Sequence, residues 1–150
     1  MKKLLINKLF LLGSILISSV LVAQNIKEED RIIGVWLTEK RDGKVEIYKV
    51  NNRYYGKLIW GTKMYQADGK TSVKDSKNPD AKLRSRDLKN LVFMTDFVYK
   101  DDAWEDGKIY DPNSGETYSC TIKYTDSGIE IRGYIGISLF GKSEKWTRVK

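Results

Sequence analysis

The stretch RIIGVWLTE, Arg31 to Glu39, decides the reading of the fold. It sets the smallest residue, Gly34, two positions before the largest, Trp36, at the head of a long series of short apolar runs. The last of those runs ends EKWTRV, Glu144 to Val149. A sheet that closes into a barrel has no free edge, so its first and last strands pair. On that reading Arg148 comes over the ring of Trp36, a cation–π contact worth roughly 0.5–2 kcal/mol. Gly34, lacking a side chain, lets another part of the chain pass close by. Gly34, Trp36 and Arg148 are therefore expected to form the closure: Trp36 the plug, Arg148 its lid.

Between these two ends the pattern is that of short strands. Runs rich in β-branched and aromatic residues are predicted as strands over 33–38, 44–50, 54–60, 91–99, 103–110, 117–124, 129–135 and 142–149. Asp, Asn and Gly fill the breaks, as in Arg41-Asp42-Gly43, Asn51-Asn52, Asp101-Asp102, Asp111 to Gly115 and Asp126-Ser127-Gly128. These residue types accept the backbone angles of tight hairpins. Alternation is clearest late in the chain. Tyr118, Cys120, Ile122 and Tyr124 share one face of a strand, and Ile129, Ile131, Gly133 and Ile135 share one face of the next. Half-wet strands at regular spacing, with no long helical period, predict an all-β chain: a single antiparallel up-and-down barrel of about eight strands.

One segment interrupts this rhythm. Residues 61–90 show little apolar pattern, so a long loop or a short helix is expected between strands 3 and 4, with a helical turn near 81–86. Structureless loops longer than roughly 12–15 residues are uncommon in compact domains unless they have a function or are disordered. This one carries eight Lys or Arg against four Asp, which makes it the local excess of positive charge.

The chain begins Met1-Lys2-Lys3, continues apolar from Leu9 to Val22 and turns polar after Ala23. That is the order of a secretory leader, and the apolar run is shorter than the 18 or so residues a membrane span wants. Export is expected, periplasmic or secreted, with cleavage near Ala23. The chain then divides into a leader (1–23), a polar segment (24–32) and a barrel domain (33–150). No cysteine lies near Ala23, which argues against lipid modification. The single Cys120 rules out an intramolecular disulfide. A nucleic-acid partner would want a wider basic face interleaved with aromatics, and none is expected.

Gly-X-Trp on the first strand with Arg on the last resembles the lipocalin and wider calycin signature. The longer series GVWLTE, GKVEIYKV, YYGKLIW, KNPDAKLRSRDL, WEDGKIYDPNSGETYSC and RGYIGISLFGKSEKWTRV resembles an uncharacterised bacterial exported family of unknown function. The resemblance spans the chain after the leader and implies a lipocalin-like barrel, without any activity or catalytic residue. Many members of that family carry two cysteines in the second hairpin, where this chain has Val50 and Tyr55. The disulfide is therefore absent, and Tyr55 is expected to pack across from Val50 instead.

The chemistry is bounded by what is missing. There is no histidine, which removes Ser-His-Asp and Cys-His catalysis and histidine ligation of zinc, haem or copper. No metal and no cofactor is expected. Cys120 reads as a small buried hydrophobe rather than a redox site, since no basic neighbour is visible to activate it. The acidic clusters Asp101-Asp102, Glu105-Asp106 and Asp111 to Glu116 read as turns, because their spacing fits no calcium loop. The segment Gly133 to Lys142 is either a close-packed corner, which its three glycines favour, or an apolar lip at the barrel mouth.

The leading expectation is a binding protein, not an enzyme, for a small apolar or amphipathic ligand. Trp60, Tyr118, Cys120 and Tyr134 are its candidate wall residues. Lys82, Arg84 and Arg86 of the basic loop would flank the mouth, suggesting an anionic head group or an anionic membrane surface. Charge reversal of those three is expected to leave stability nearly unchanged. The alternative is an envelope-associated protein-interaction module with a filled barrel, and a histidine-free enzyme comes third.

Overall fold

The computed structural model describes residues 26–136 and 141–150. Eight antiparallel strands follow one another around a closed barrel, each bonded to the next and the last to the first. They are β1 (Gly34–Leu37), β2 (Gly43–Val50), β3 (Arg53–Gly61), β4 (Val92–Lys100), β5 (Ala103–Asp111), β6 (Glu116–Thr125), β7 (Gly128–Tyr134) and β8 (Gly141–Arg148). This is the up-and-down barrel read from the alternation, and each strand falls within two residues of its expected bounds.

The turns use the residues singled out for them. Asp101 and Asp102 both take positive φ, at 49° and 61°, which is the two-residue hairpin geometry whose twist suits the flanking strands. Asp106 also has positive φ and lies where the β5–β6 register shifts between Trp104 and Gly107. It marks a bulge rather than a turn.

Packing divides the barrel along its axis. Trp36, Tyr54, Phe97, Trp104, Ile122 and Ile129 are all buried in one cluster at the end where β1 meets β8. The short polar segment before β1 closes that end from outside. Glu28–Asp30 forms a 3-10 turn. The Trp104 indole donates to the Glu29 carbonyl at 3.1 Å, Tyr54 donates its hydroxyl to Asp30 Oδ1 at 2.8 Å, and Lys49 Nζ bridges Glu29 and Asp30 at 3.0 and 2.8 Å. Ile32 is fully buried, so the packed domain starts before residue 33. Residues 1–25, which include the expected leader, lie outside the described residues.

Trp36 is itself fully buried. Its indole N–H donates to the Ile32 carbonyl at 2.8 Å, and the Arg148 guanidinium lies 4.3 Å from the ring centroid. Arg148 also donates to the Ile33 carbonyl at 2.9 Å and to the Arg31 carbonyl. These bonds tie the N-terminal segment to the last strand. The close-passing group expected at Gly34 is this same guanidinium: a Cβ at Gly34, where φ is +140°, would overlap Arg148 Nη1.

In the second hairpin Tyr55 pairs with Tyr48, and the two rings stack at 5.9 Å; Val50 pairs with Arg53. The expected Val50–Tyr55 contact is thus replaced by an aromatic pair two residues back along β2.

Candidate functional site

The end of the barrel opposite Trp36 is hollow. A cavity of about 820 Å³ occupies it, within the range of roughly 300–1,000 Å³ typical of small-molecule sites. Its floor is Val45, Ile131 and Trp146, which also belong to the buried cluster. Leu58, Phe93 and Ile109 rise from that floor as partly buried walls. Leu58 and Ile109 face inward because strand side chains alternate, whereas Phe93 is the extra residue at a register shift between β3 and β4, beside the inward-facing Met94.

The long segment between β3 and β4 makes part of the rim through Met64, Leu88 and Leu91. It is ordered by its own bonds. Val73 N donates to Met64 O at 2.8 Å, Leu88 N to Val73 O at 2.9 Å and Asp75 N to Arg86 O at 3.0 Å. The expected helical turn is a 3-10 turn over Ala81–Leu83, capped by Asp80. At the centre lies Asp75, fully buried. It accepts from Arg86 Nε at 2.7 Å, Asn78 Nδ2 at 2.8 Å and the Tyr110 hydroxyl at 2.5 Å. Burial pushes its carboxyl up, but the bonds from Tyr110, Asn78 and Arg86 outweigh that and hold it below the ordinary value. Because Tyr110 sits on β5, this network latches the segment to the barrel wall. A second clamp lies alongside: Lys77 Nζ donates to the Asn113 carbonyl at 2.6 Å, and a Cβ at Gly115 would overlap the Lys77 carbonyl.

The candidate wall residues separate into two groups. Tyr118 and Tyr134 line the cavity. Cys120 does not: it is fully buried in the packed cluster, and desolvation pushes its thiol up to about 12. Trp60 is on the outside, with the Lys44 ammonium 5.7 Å from its ring centroid. Strict alternation from Tyr54, Gly56 and Leu58 points Trp60 inward. A bulge reverses it: Lys44 pairs with Trp60 and Val45 with Leu58, leaving Ile59 as an extra residue that shifts the phase.

The basic trio also departs from expectation. None of Lys82, Arg84 and Arg86 lines the cavity. Arg86 is spent on Asp75, Arg84 Nε donates to the Asn78 carbonyl at 2.8 Å, and Lys82 is exposed. The reason is local: a turn built around a buried carboxylate needs its cations for itself. The segment 133–142 contributes Gly133, Tyr134, Ile135, Gly141 and Lys142 to the cavity, so its described ends form part of the lip, and a Cβ at Gly141 would overlap the Gly133 carbonyl, so they also pack closely; residues 137–140 lie outside the described residues.

Trp146 and Glu144 were not singled out from the sequence. The signal was present: Lys142, Glu144 and Trp146 alternate along β8, and all three line the cavity. No group of three or more metal-ligating side chains occurs among the described residues.

A solved structure of a protein from the human pathogen Helicobacter pylori, described as belonging to the lipocalin family, is similar at a TM-score of 0.68 and 27% identity, over 79% of this chain and 83% of that one. No curated protein matches the sequence. Residues 34–148, from the glycine before the plug to the arginine over it, match a family described as "Uncharacterized protein conserved in bacteria (DUF2147)", and the chain belongs to that family.

Proposed function

We propose that the protein binds a small apolar or amphipathic molecule in the open half of the barrel. The observation that carries this reading is the cavity of about 820 Å³ with its floor of Val45, Ile131 and Trp146. The likeness to a structure described as a lipocalin supports it. Burial of the apolar part of a ligand against this floor would supply most of the affinity, and a few polar groups would set its orientation. Among the described residues the packed cluster leaves the other half open, which weighs against a filled-barrel interaction module. Binding rather than catalysis is favoured by the lack of histidine and by the Cys120 thiol, raised to about 12. Export is part of the proposal and rests on the order of charged, apolar and small residues in 1–23. An anionic membrane surface is not part of it, since Arg84 and Arg86 are bonded within their own loop.

The test is titration with a neutral fluorescent apolar probe such as N-phenyl-1-naphthylamine. Emission should rise saturably with the wild-type protein. Ile109→Trp, which projects bulk into the cavity, should weaken the probe by about tenfold or more, while Trp60→Ala on the outer wall leaves it unchanged. No saturable rise, or equal binding by a folded Ile109→Trp variant, sinks the reading.

A further inference from the structure

We infer that Glu144 is the polar anchor of the cavity and makes it select amphiphiles carrying a cationic nitrogen over those carrying a carboxylate. The inference rests on the binding reading above and names its ligand class.

Trp146 at the floor is buried; two residues nearer the mouth on the same inward face stands Glu144, and two further Lys142 at the rim. Glu144 Oε2 accepts the Trp146 indole N–H at 3.2 Å. Its other oxygen has no hydrogen-bond partner among the described residues, and no Lys or Arg there lies within ion-pair distance of it. Glu144 is half-buried and lines a cavity whose walls are largely apolar, so a ligand seated there displaces water from the carboxylate and must offer it a partner in return.

The other charged groups lining the cavity do not compete for this role. Asp42 Oδ1 accepts from the Thr38 hydroxyl at 2.7 Å, and Asp111 Oδ1 accepts from the Asn113 backbone and side chain, both at 2.9 Å. These two carboxylates hold turns at the rim. Lys63 and Lys142 are exposed there, and exposed lysines keep their water, so pairing with them adds little. The charge that a bound ligand meets below the rim is the one on Glu144. An ammonium group at that depth makes a charge-assisted bond to the unpartnered oxygen. A hydroxyl makes a weaker one, and a carboxylate there meets repulsion.

The simpler account is that Glu144 only orients the Trp146 ring. The two are separated by ranking three ligands of one chain length, dodecylammonium, dodecanol and laurate, by displacement of the neutral probe at low salt. The wild type should bind dodecylammonium about tenfold or more tighter than laurate, with dodecanol between, as sites with unpaired polar groups discriminate. Glu144→Gln keeps an acceptor for the indole and removes the charge, and it should bring dodecylammonium and laurate to within about twofold. Laurate binding as tightly as dodecylammonium in the wild type overturns the inference while leaving the binding reading intact. So does a ranking that survives Glu144→Gln. If none of the three displaces the probe, both the inference and the binding reading fall.

Discussion

At the closed end of the barrel Trp36 meets protein on every side: the Arg148 guanidinium covers one face and Tyr124 approaches edge-on at 6.1 Å. At the open end Tyr118 sits on the same kind of inward strand position and Phe93 at a register shift of β4, yet the cavity takes the place of a packing partner. Sheet, alternation and residue type are shared. What differs is the cap. A polar segment that continues directly into β1 folds back over the closed end with its own carbonyls as acceptors, whereas the open end has a thirty-residue excursion pinned at its side. The large rings interlock at the closed end, and the hollow end is where the proposed ligand would sit.

Four measurements can break or sharpen that contrast. The largest effect is expected at the plug. Trp36→Ala should cost roughly 3–5 kcal/mol in denaturant unfolding, as large core truncations do, while Phe93→Ala, already facing empty space, should cost about 1–2 kcal/mol because little new void is created. Equal losses would erase the distinction between the ends.

The latch comes next. Breaking a buried ion pair costs roughly 3–5 kcal/mol, and Arg86 is one-third exposed, so Arg86→Glu should cost about 1–3 kcal/mol. Lys82→Glu, on the exposed 3-10 turn, should stay within about 0.5 kcal/mol. The three loop cations, read as equivalent from the sequence, should thus differ severalfold when reversed singly, read by thermal unfolding of each variant.

Acid should act through Asp75. Its carboxyl is held below the ordinary value in the fold, so its stabilising contribution is complete above the unfolded value of about 3.9 and is lost as pH falls through the lower folded one. Amide exchange at Leu88 and Val73 should speed up below about pH 4, and Asp75→Asn should remove that pH step. Asp30 follows the same sign at the closed end, where the bond from Lys49 lowers it. Its acid step should therefore persist in Asp75→Asn, and its disappearance would mean the two ends are not independent.

At Cys120 the smallest effect is expected on binding rather than on stability. Cys120→Ser places a hydroxyl in the packed cluster and should cost about 1–3 kcal/mol at most, with probe binding unchanged. Native thiol labelling at neutral pH should be slow, since the thiol is raised to about 12. Fast labelling would move Cys120 out of the core and into the cavity.

Much of the fold was legible in advance because its signals are local. Turn chemistry and period-two alternation mark eight strands, and closure then needs an Arg to meet a Trp more than a hundred positions away; that pair is observed. The site was less legible. Tyr118 and Tyr134 follow from their strands, but Trp60 was misplaced by one inserted residue at Ile59, which turns every later side chain of β3 over. Arg86 was misread because its partners, Asp75 and Tyr110, are 11 and 24 residues away in the chain and on different elements.

The sequence by itself determined the strand order, the closure through Gly34, Trp36 and Arg148, and the exclusion of histidine chemistry. Only the tertiary structure decided that one half of the barrel is full and the other empty, and that Glu144 faces the empty half. A residue's own character sets whether it can be buried. Whether anything lies opposite it depends on bulges, on register and on distant segments such as the polar cap before β1, and no local pattern records an empty space.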